Sequence, residues 1–184
     1  MYRTRLLAIA LMILCWTLYG EARKADRIGI SINAVNTLLG EAQLDLSIKY
    51  GDFEFGLKPG LRFAYVLDGG GWISGRGASV HPTFRHYFTR SLYLGLTVPV
   101  VFWLDPPHPL YDLAFVVRTG VAPVAGWRYA LGPLLVAVEL GAGIGAQHVF
   151  FESPDAYGIT GWLVLHGELA VGLAFSRKEL QAAR

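Results

Sequence analysis

Residues 41–67, EAQLDLSIKYGDFEFGLKPGLRFAYVL, decide the fold. Leu44, Leu46, Ile48 and Tyr50 alternate with Gln43, Asp45, Ser47 and Lys49. After Gly51-Asp52 the alternation resumes, with Phe53, Phe55, Leu57, Pro59, Leu61, Phe63, Tyr65 and Leu67 against Glu54, Gly56, Lys58, Gly60, Arg62, Ala64 and Val66. This is a period of two, the signature of strands. A two-residue loop that begins with glycine suits a tight hairpin. If Tyr50 faces Phe53, then Lys49 faces Glu54 and Asp45 faces Lys58, opposite charges each time, while Ile48 meets Phe55 and Leu46 meets Leu57. A one-residue slip would put charges on the apolar face, so the register is specified.

The same alternation recurs downstream. Leu92 to Leu104 presents a continuous apolar face against Tyr93, Gly95, Thr97, Pro99, Val101 and Trp103, and Leu113 to Ala122, Leu134 to Gly145 and Leu163 to Phe175 repeat the pattern. A weaker alternation over Ile28–Asn36 and a ragged one over Ala78–Phe88 give eight expected strands. Pro82 in the ragged segment should sit at a bulge or an unpaired position. Connections alternate between short turns and longer loops at Asp68–Arg76, Asp105–Tyr111 and Phe150–Thr160. Several segments exceed the usual five or six residues of a globular strand. Their apolar faces carry no charge, whereas the opposite faces mix charges with Gly and Ala.

Composition points the same way. The 184 residues are 53% hydrophobic and only 16% charged, with a formal net charge of +2 and a mean hydropathy of +0.40. That charged share is below the roughly 25% of ordinary soluble domains. No basic stripe accompanies the small net charge, so nucleic acid is an unexpected partner. Residues 1–22 have the parts of a secretory signal: Arg3 and Arg5, the apolar run Leu6–Trp16, then Gly20-Glu21-Ala22 as a cleavage site. Cys15 lies inside that segment, leaving the expected mature chain without a disulfide. Residues 23–175 then form one β domain, and 176–184 a short C-terminal tail.

Two rivals lose ground. A helix over Ala130–Val149 would bury Glu139 beside several glycines, and no helical reading of 41–67 avoids immersing Asp45, Lys49, Glu54, Lys58 and Arg62. An exported lipocalin-like barrel would leave a charge-poor exterior on its later strands. The expected fold is therefore all-β, an eight-stranded antiparallel up-and-down transmembrane β-barrel. The signal, the alternating strands and the final run Glu168–Phe175, with Leu169, Val171, Leu173 and Phe175 on one face, resemble the small eight-stranded outer-membrane β-barrels of Gram-negative bacteria. The resemblance implies the cell outer membrane as the location. Its partners would be outer-membrane lipid, lipopolysaccharide and the barrel assembly machinery, for a protein expected to be monomeric. In that family the last strand usually ends the chain on an aromatic residue; Phe175 fits, yet Ser176–Arg184 follows.

The interior face supplies the site candidates: a charge network of Asp45, Lys49, Glu54, Lys58, Arg62, Arg118, Glu139 and Glu168. Counting from a turn near residue 128 places Arg118 opposite Glu139, with Glu168 at a similar height. Two carboxylates sharing one guanidinium should compete for ionisation, raising the pKa of one. Ser79 and His81 share a face at a spacing of two, and hydrolysis would need a carboxylate to orient the imidazole; none is placed by the sequence. Ser79, His81, Glu139 and Glu168 are thus the catalytic candidates to weigh against a purely structural network. His86 and His108 are isolated, so neither a metal nor a cofactor is expected. The expected role is structural or surface-interacting, without catalysis. The alternatives are a lipid A-modifying enzyme and a barrel binding a small hydrophobic ligand.

Overall fold

A computed structural model describes residues 25–34, 41–68, 71–105, 113–151 and 157–182. The expected signal with Cys15, and His108, lie outside the described residues. Nine strands form one antiparallel sheet: β1 Arg27–Asn33, β2 Glu41–Tyr50, β3 Phe53–Asp68, β4 Gly71–Tyr87, β5 Leu92–Thr97, β6 Val100–Asp105, β7 Leu113–Leu131, β8 Leu134–Phe151 and β9 Tyr157–Ser176. A short helix, α1 (Arg177–Ala182), follows. The strand pairings run β3-β2-β1-β9-β8-β7, pass to β5 and β6, and reach β4, which also pairs with β3.

The eight-stranded barrel expected from the sequence is corrected here to a nine-stranded sheet whose pairings run round in a ring. The reason is local. Pro99 has no N–H to give a ladder, so the segment Leu92–Leu104 divides at Val98-Pro99 into β5 and β6. β4 pairs with β5 up to Thr83↔Thr97 and with β6 from Val80↔Val100. Val98 N donates across the gap to Pro82 O at 2.9 Å, and Gly120 N to Pro99 O at 3.0 Å. The two prolines flank one break.

The opening hairpin has Tyr50↔Phe53, Lys49↔Glu54, Ile48↔Phe55 and Leu46↔Leu57 as partners, with Gly51 at a φ of 54° in the turn. Two connections differ from expectation. The β3–β4 ladder continues to Asp68↔Gly71, leaving two residues where a long loop was expected. The β7–β8 ladder ends at Leu131↔Leu134 around Gly132, at a φ of 59°. That turn lies further along than the one expected near residue 128. Arg118 consequently faces Gln147 and Glu139 faces Gly126, so Arg118 and Glu139 are not partners.

The faces are sharply divided. Gln43, Asp45, Glu54, Lys58, Arg85, Arg128, Glu139 and Glu168 are buried on the inner face, whereas Leu46, Phe55, Leu61, Leu140, Ile144 and Leu165 are exposed on the outer one. Trp103, on the face opposite the apolar run Leu92 to Leu104, is buried against Val101 and Val116. Trp127 and Tyr129 are exposed and stack on each other at 5.7 Å. The tail opens with Ser176-Arg177-Lys178-Glu179, a capping box: Glu179 Oε2 accepts from Ser176 N at 2.7 Å and Ser176 Oγ from Glu179 N at 3.4 Å.

Candidate functional site

The inner face converges on Arg85, which β4 carries in phase with Ser79, His81 and Thr83. Its guanidinium donates from Nε to Glu139 Oε2 at 2.8 Å, from Nη1 to Glu54 Oε1 at 2.7 Å, and from Nη2 to Asp45 Oδ2 at 3.4 Å. It lies 5.4 Å from the centre of the Tyr93 ring. Gly56 makes this possible, since a Cβ there would lie 3.2 Å from Arg85 Nη1 and 3.3 Å from Asp45 Oδ1. On one side Arg128 donates to Asp45 Oδ2 at 2.8 Å and to Ser47 Oγ at 3.1 Å. On the other, Lys58 Nζ donates to Glu139 Oε1 at 2.8 Å and to Glu168 Oε2.

Tyrosine and histidine complete the shell. Tyr93 Oη donates to Glu139 Oε2 at 2.7 Å and Tyr87 Oη to Glu54 Oε2 at 3.0 Å. His166 Nε2 lies 2.6 Å from Glu139 Oε1. Burial pushes the Glu139 carboxyl up, but the adjacent Arg85 and Lys58 charges outweigh it and hold the group well below the usual carboxylate range. The charges beside Glu139 are those of Arg85 and Lys58, not of the Arg118 that the sequence set opposite it. Asp45 behaves alike: burial raises it, Arg128 and Arg85 lower it further, and it settles at about 2. Burial pushes the Tyr93 and Tyr87 hydroxyls up, so both remain protonated donors.

A second cluster lies further along the strands, around Glu41. Arg62 donates to Glu41 Oε2 from Nε at 2.8 Å and from Nη2 at 2.7 Å. Ser79 Oγ donates to Glu41 Oε1. His81 accepts from Gln43 Nε2 at Nδ1 over 3.1 Å, and its Nε2 lies 3.9 Å from Glu41 Oε1 with no hydrogen-bond partner among the described residues. Burial, then the charges of Arg62, His166 and Lys58, lower the His81 pKa to about 3. The structure thus supplies the carboxylate that the sequence did not place beside Ser79 and His81. The order of contacts is wrong for a nucleophile, however: the hydroxyl donates straight to the carboxylate, and the imidazole takes no proton from it.

Of the interior residues predicted from sequence, Asp45, Glu54, Lys58, Glu139 and Glu168 meet through Arg85 and Arg128. Arg62 joins Glu41 instead. Arg118 stands apart, bonded to Gln147 Oε1 and 5.5 Å from the Trp162 ring centre. Lys49 leaves Glu54 and sits 3.5 Å over the Tyr87 ring. Sequence reasoning missed Arg85, Arg128, Glu41, Tyr87 and Tyr93. Arg85 carried a usable signal, its even spacing from Ser79 and His81; Arg128 had been read as part of a turn.

One subset has metal-ligand chemistry: the ligand atoms of Glu139, His166 and Glu168 all lie within 4.8 Å of one another. Glu168 Oε1 is buried without a partner among the described residues. Lys58 Nζ already bridges the two carboxylates of this triad, in the place a cation would take.

No family model, curated protein or solved structure matches the chain. Among the described residues no helix is long and apolar enough to cross a membrane. The likeness to eight-stranded outer-membrane barrels needed a strand count that the nine-stranded sheet does not have, and no matched protein carries it. With it go the outer-membrane location and role, the lipid, lipopolysaccharide and assembly-machinery partners, and the lipid A-modifying and hydrophobic-ligand alternatives. What replaces them is a β protein organised round a buried ion-pair network that includes a metal-type triad.

Proposed function

We propose that the protein is a non-catalytic binding protein, its buried charges forming a fixed electrostatic core and its ligand chemistry lying at the strand ends. The observation that carries this reading is the mutual engagement of the candidate reactive groups. Lys58 bridges Glu139 and Glu168, and Ser79 donates to Glu41 rather than to His81. A general acid or base needs a pKa near the working pH and a proton to exchange with a ligand. Glu139 and Asp45, held low by cations, are unsuited to that work. Breaking a buried pair costs about 3–5 kcal/mol because a charge is left behind, so the network has a sufficient reason to exist as structure.

The test compares Lys58→Met, Glu139→Gln and Ser79→Ala by reversible unfolding and by labelling with a fluorophosphonate. A structural core gives losses of about 3–5 kcal/mol for the first two, about 1 kcal/mol for the third, and no label on Ser79. Covalent labelling of Ser79 that vanishes in His81→Ala would overturn the reading.

The Glu139–His166–Glu168 triad favours a second reading, a divalent-cation site. Four carboxyl side chains (Asp45, Glu54, Glu139, Glu168) meet three basic ones (Lys58, Arg85, Arg128) in the central cluster. Calorimetric titration with Zn2+ decides between the two. Binding to the unaltered chain supports the metal site, whereas binding only after Lys58→Met shows that the lysine is the resident cation.

A further inference from the structure

The short-turn end of the sheet carries a charge cluster of a different kind. Asp26, Arg27, Lys49, Asp52, Thr89 and Arg90 line a cavity of about 320 Å3. A smaller space, lined among others by Arg27, Lys49, Arg90 and Arg128, adjoins it on the side of the ionic core.

Arg27 and Lys49 are direct cross-strand partners, and like charges so placed repel. Glu54, which the hairpin register puts opposite Lys49, is engaged by Arg85, Tyr87 and Arg128. Among the described residues no carboxylate lies within ion-pair distance of Arg27, Lys49 or Arg90. Burial lowers the Lys49 pKa, and the charges of Arg27 and Arg128 add to that while Glu54 and Asp52 oppose it. Asp26 is tied to the hairpin turn, accepting from Gly51 N at 2.7 Å. The β4–β5 turn is likewise fixed: Thr89 Oγ1 accepts from Ser91 N and Leu92 N, and Ser91 O accepts from Arg128 N at 2.8 Å. Three cations therefore stand on a preformed rim with two carboxylates, one of them held by backbone.

We propose that this mouth binds a phosphate-class oxyanion, free or as the terminal monoester of a larger molecule, through Arg27, Lys49 and Arg90. Guanidinium groups match the geometry of such an anion with paired N–H donors, and a bound anion would relieve the Arg27–Lys49 repulsion. The proposal rests on the reading of the interior as a filled core, since that core forms the floor on which the anion would stop.

The experiment titrates the full chain with inorganic phosphate and, separately, phenyl phosphate, by calorimetry. Saturable binding that weakens with added salt is expected. Arg90→Gln should weaken it about tenfold, the loss of one charge-assisted hydrogen bond, and Arg27→Gln with Arg90→Gln should abolish it. Arg90 is exposed in a turn, so its variant keeps the fold, checked by its melting curve. Tighter binding of phenyl phosphate assigns the site to a terminal monoester, and tighter binding of the inorganic ion to free phosphate. Absence of saturable binding by either, or unchanged affinity in the double variant, overturns the proposal. Labelling of Ser79 or Zn2+ binding at the core would revise the core reading and leave this titration unaffected.

Discussion

In the middle of the sheet Arg85 has Glu139, Glu54 and Asp45 within hydrogen-bond reach, whereas at the short-turn end Arg27 and Lys49 face each other with no carboxylate within ion-pair distance among the described residues. The middle is buried, and there a charge survives only when opposite charges and hydrogen bonds surround it. The mouth is open enough to solvent to tolerate cations without an ion-pair partner, which leaves chemistry available to a ligand. Saturation marks structure, and residual charge marks a place to bind.

The largest effects come from breaking the saturated region. Arg85→Met leaves three carboxylates without their shared partner and should cost about 5 kcal/mol, the upper end for a disrupted buried pair. Lys58→Met should cost about 3 kcal/mol, and adding Glu168→Gln should recover part of it by removing the stranded charge. Urea unfolding of the two singles and the double measures this. Strictly additive losses would show that Lys58 and Glu168 are not coupled.

Acid should weaken the core in two stages. His81 is held neutral, at about 3 instead of 6.5, by burial and by the Arg62, His166 and Lys58 charges. The unfolded chain therefore takes up a proton there that the native chain refuses, and stability falls as pH drops below about 6.5. Asp45, at about 2 instead of 3.8, contributes stability that is fully present above its unfolded value and is lost as pH falls through about 4 towards 2. Melting temperature against pH should show a shallow decline followed by a steeper one, and His81→Gln should remove only the first. A flat profile between pH 6.5 and 4 in the unaltered chain would mean that His81 is protonated when folded.

The sequence made the faces legible, because alternation over 41–67 states which side chains share a side and opposite charges state the register. Ion-pair partners were not legible, because they are chosen across the interior: Lys58 reaches Glu168, 110 residues away, and Arg128 reaches Asp45, 83 residues away. Local counting also failed where a turn was misplaced. Setting the β7–β8 turn near residue 128 paired Arg118 with Glu139, and moving it to Gly132 separated them. Eight strands became nine because a proline interrupts a ladder even inside an unbroken apolar face. The mouth went unread, since Arg27 and Arg90 are adjacent only once β1, β2 and the β4–β5 turn meet.

Packing gives an intermediate effect. Gly56→Ala presses a methyl group towards Arg85 and Asp45, both fully buried, and should cost about 1–3 kcal/mol as an overpacked site. By contrast Gly167→Ala meets only Leu140 at 3.9 Å, an ordinary contact, and should leave the melting temperature almost unchanged. Equal losses at the two positions would mean that the core yields more readily than its hydrogen bonds imply.

The smallest effect sharpens the comparison most, because it falls on the boundary between the two regions. By register alone Lys49 and Glu54 are a symmetrical pair, and removing either should cost the same. The structure divides them: Glu54 accepts from Arg85 and Tyr87 and lies 3.3 Å from Arg128, while Lys49 sits over the Tyr87 ring with Arg27 opposite and, among the described residues, feels the Glu54 and Asp52 carboxylates only from beyond ion-pair distance. Glu54→Gln should therefore destabilise by about 3 kcal/mol. Lys49→Met forfeits a cation–π contact of about 0.5–1 kcal/mol and gains relief from a repulsion of about 0.2–1 kcal/mol, so its net change should stay within about 0.5 kcal/mol. The double mutant should match Glu54→Gln alone. A coupling above about 1 kcal/mol between the two positions would place Lys49 inside the core, and the mouth would then have lost one of the three cations that make it a binding site.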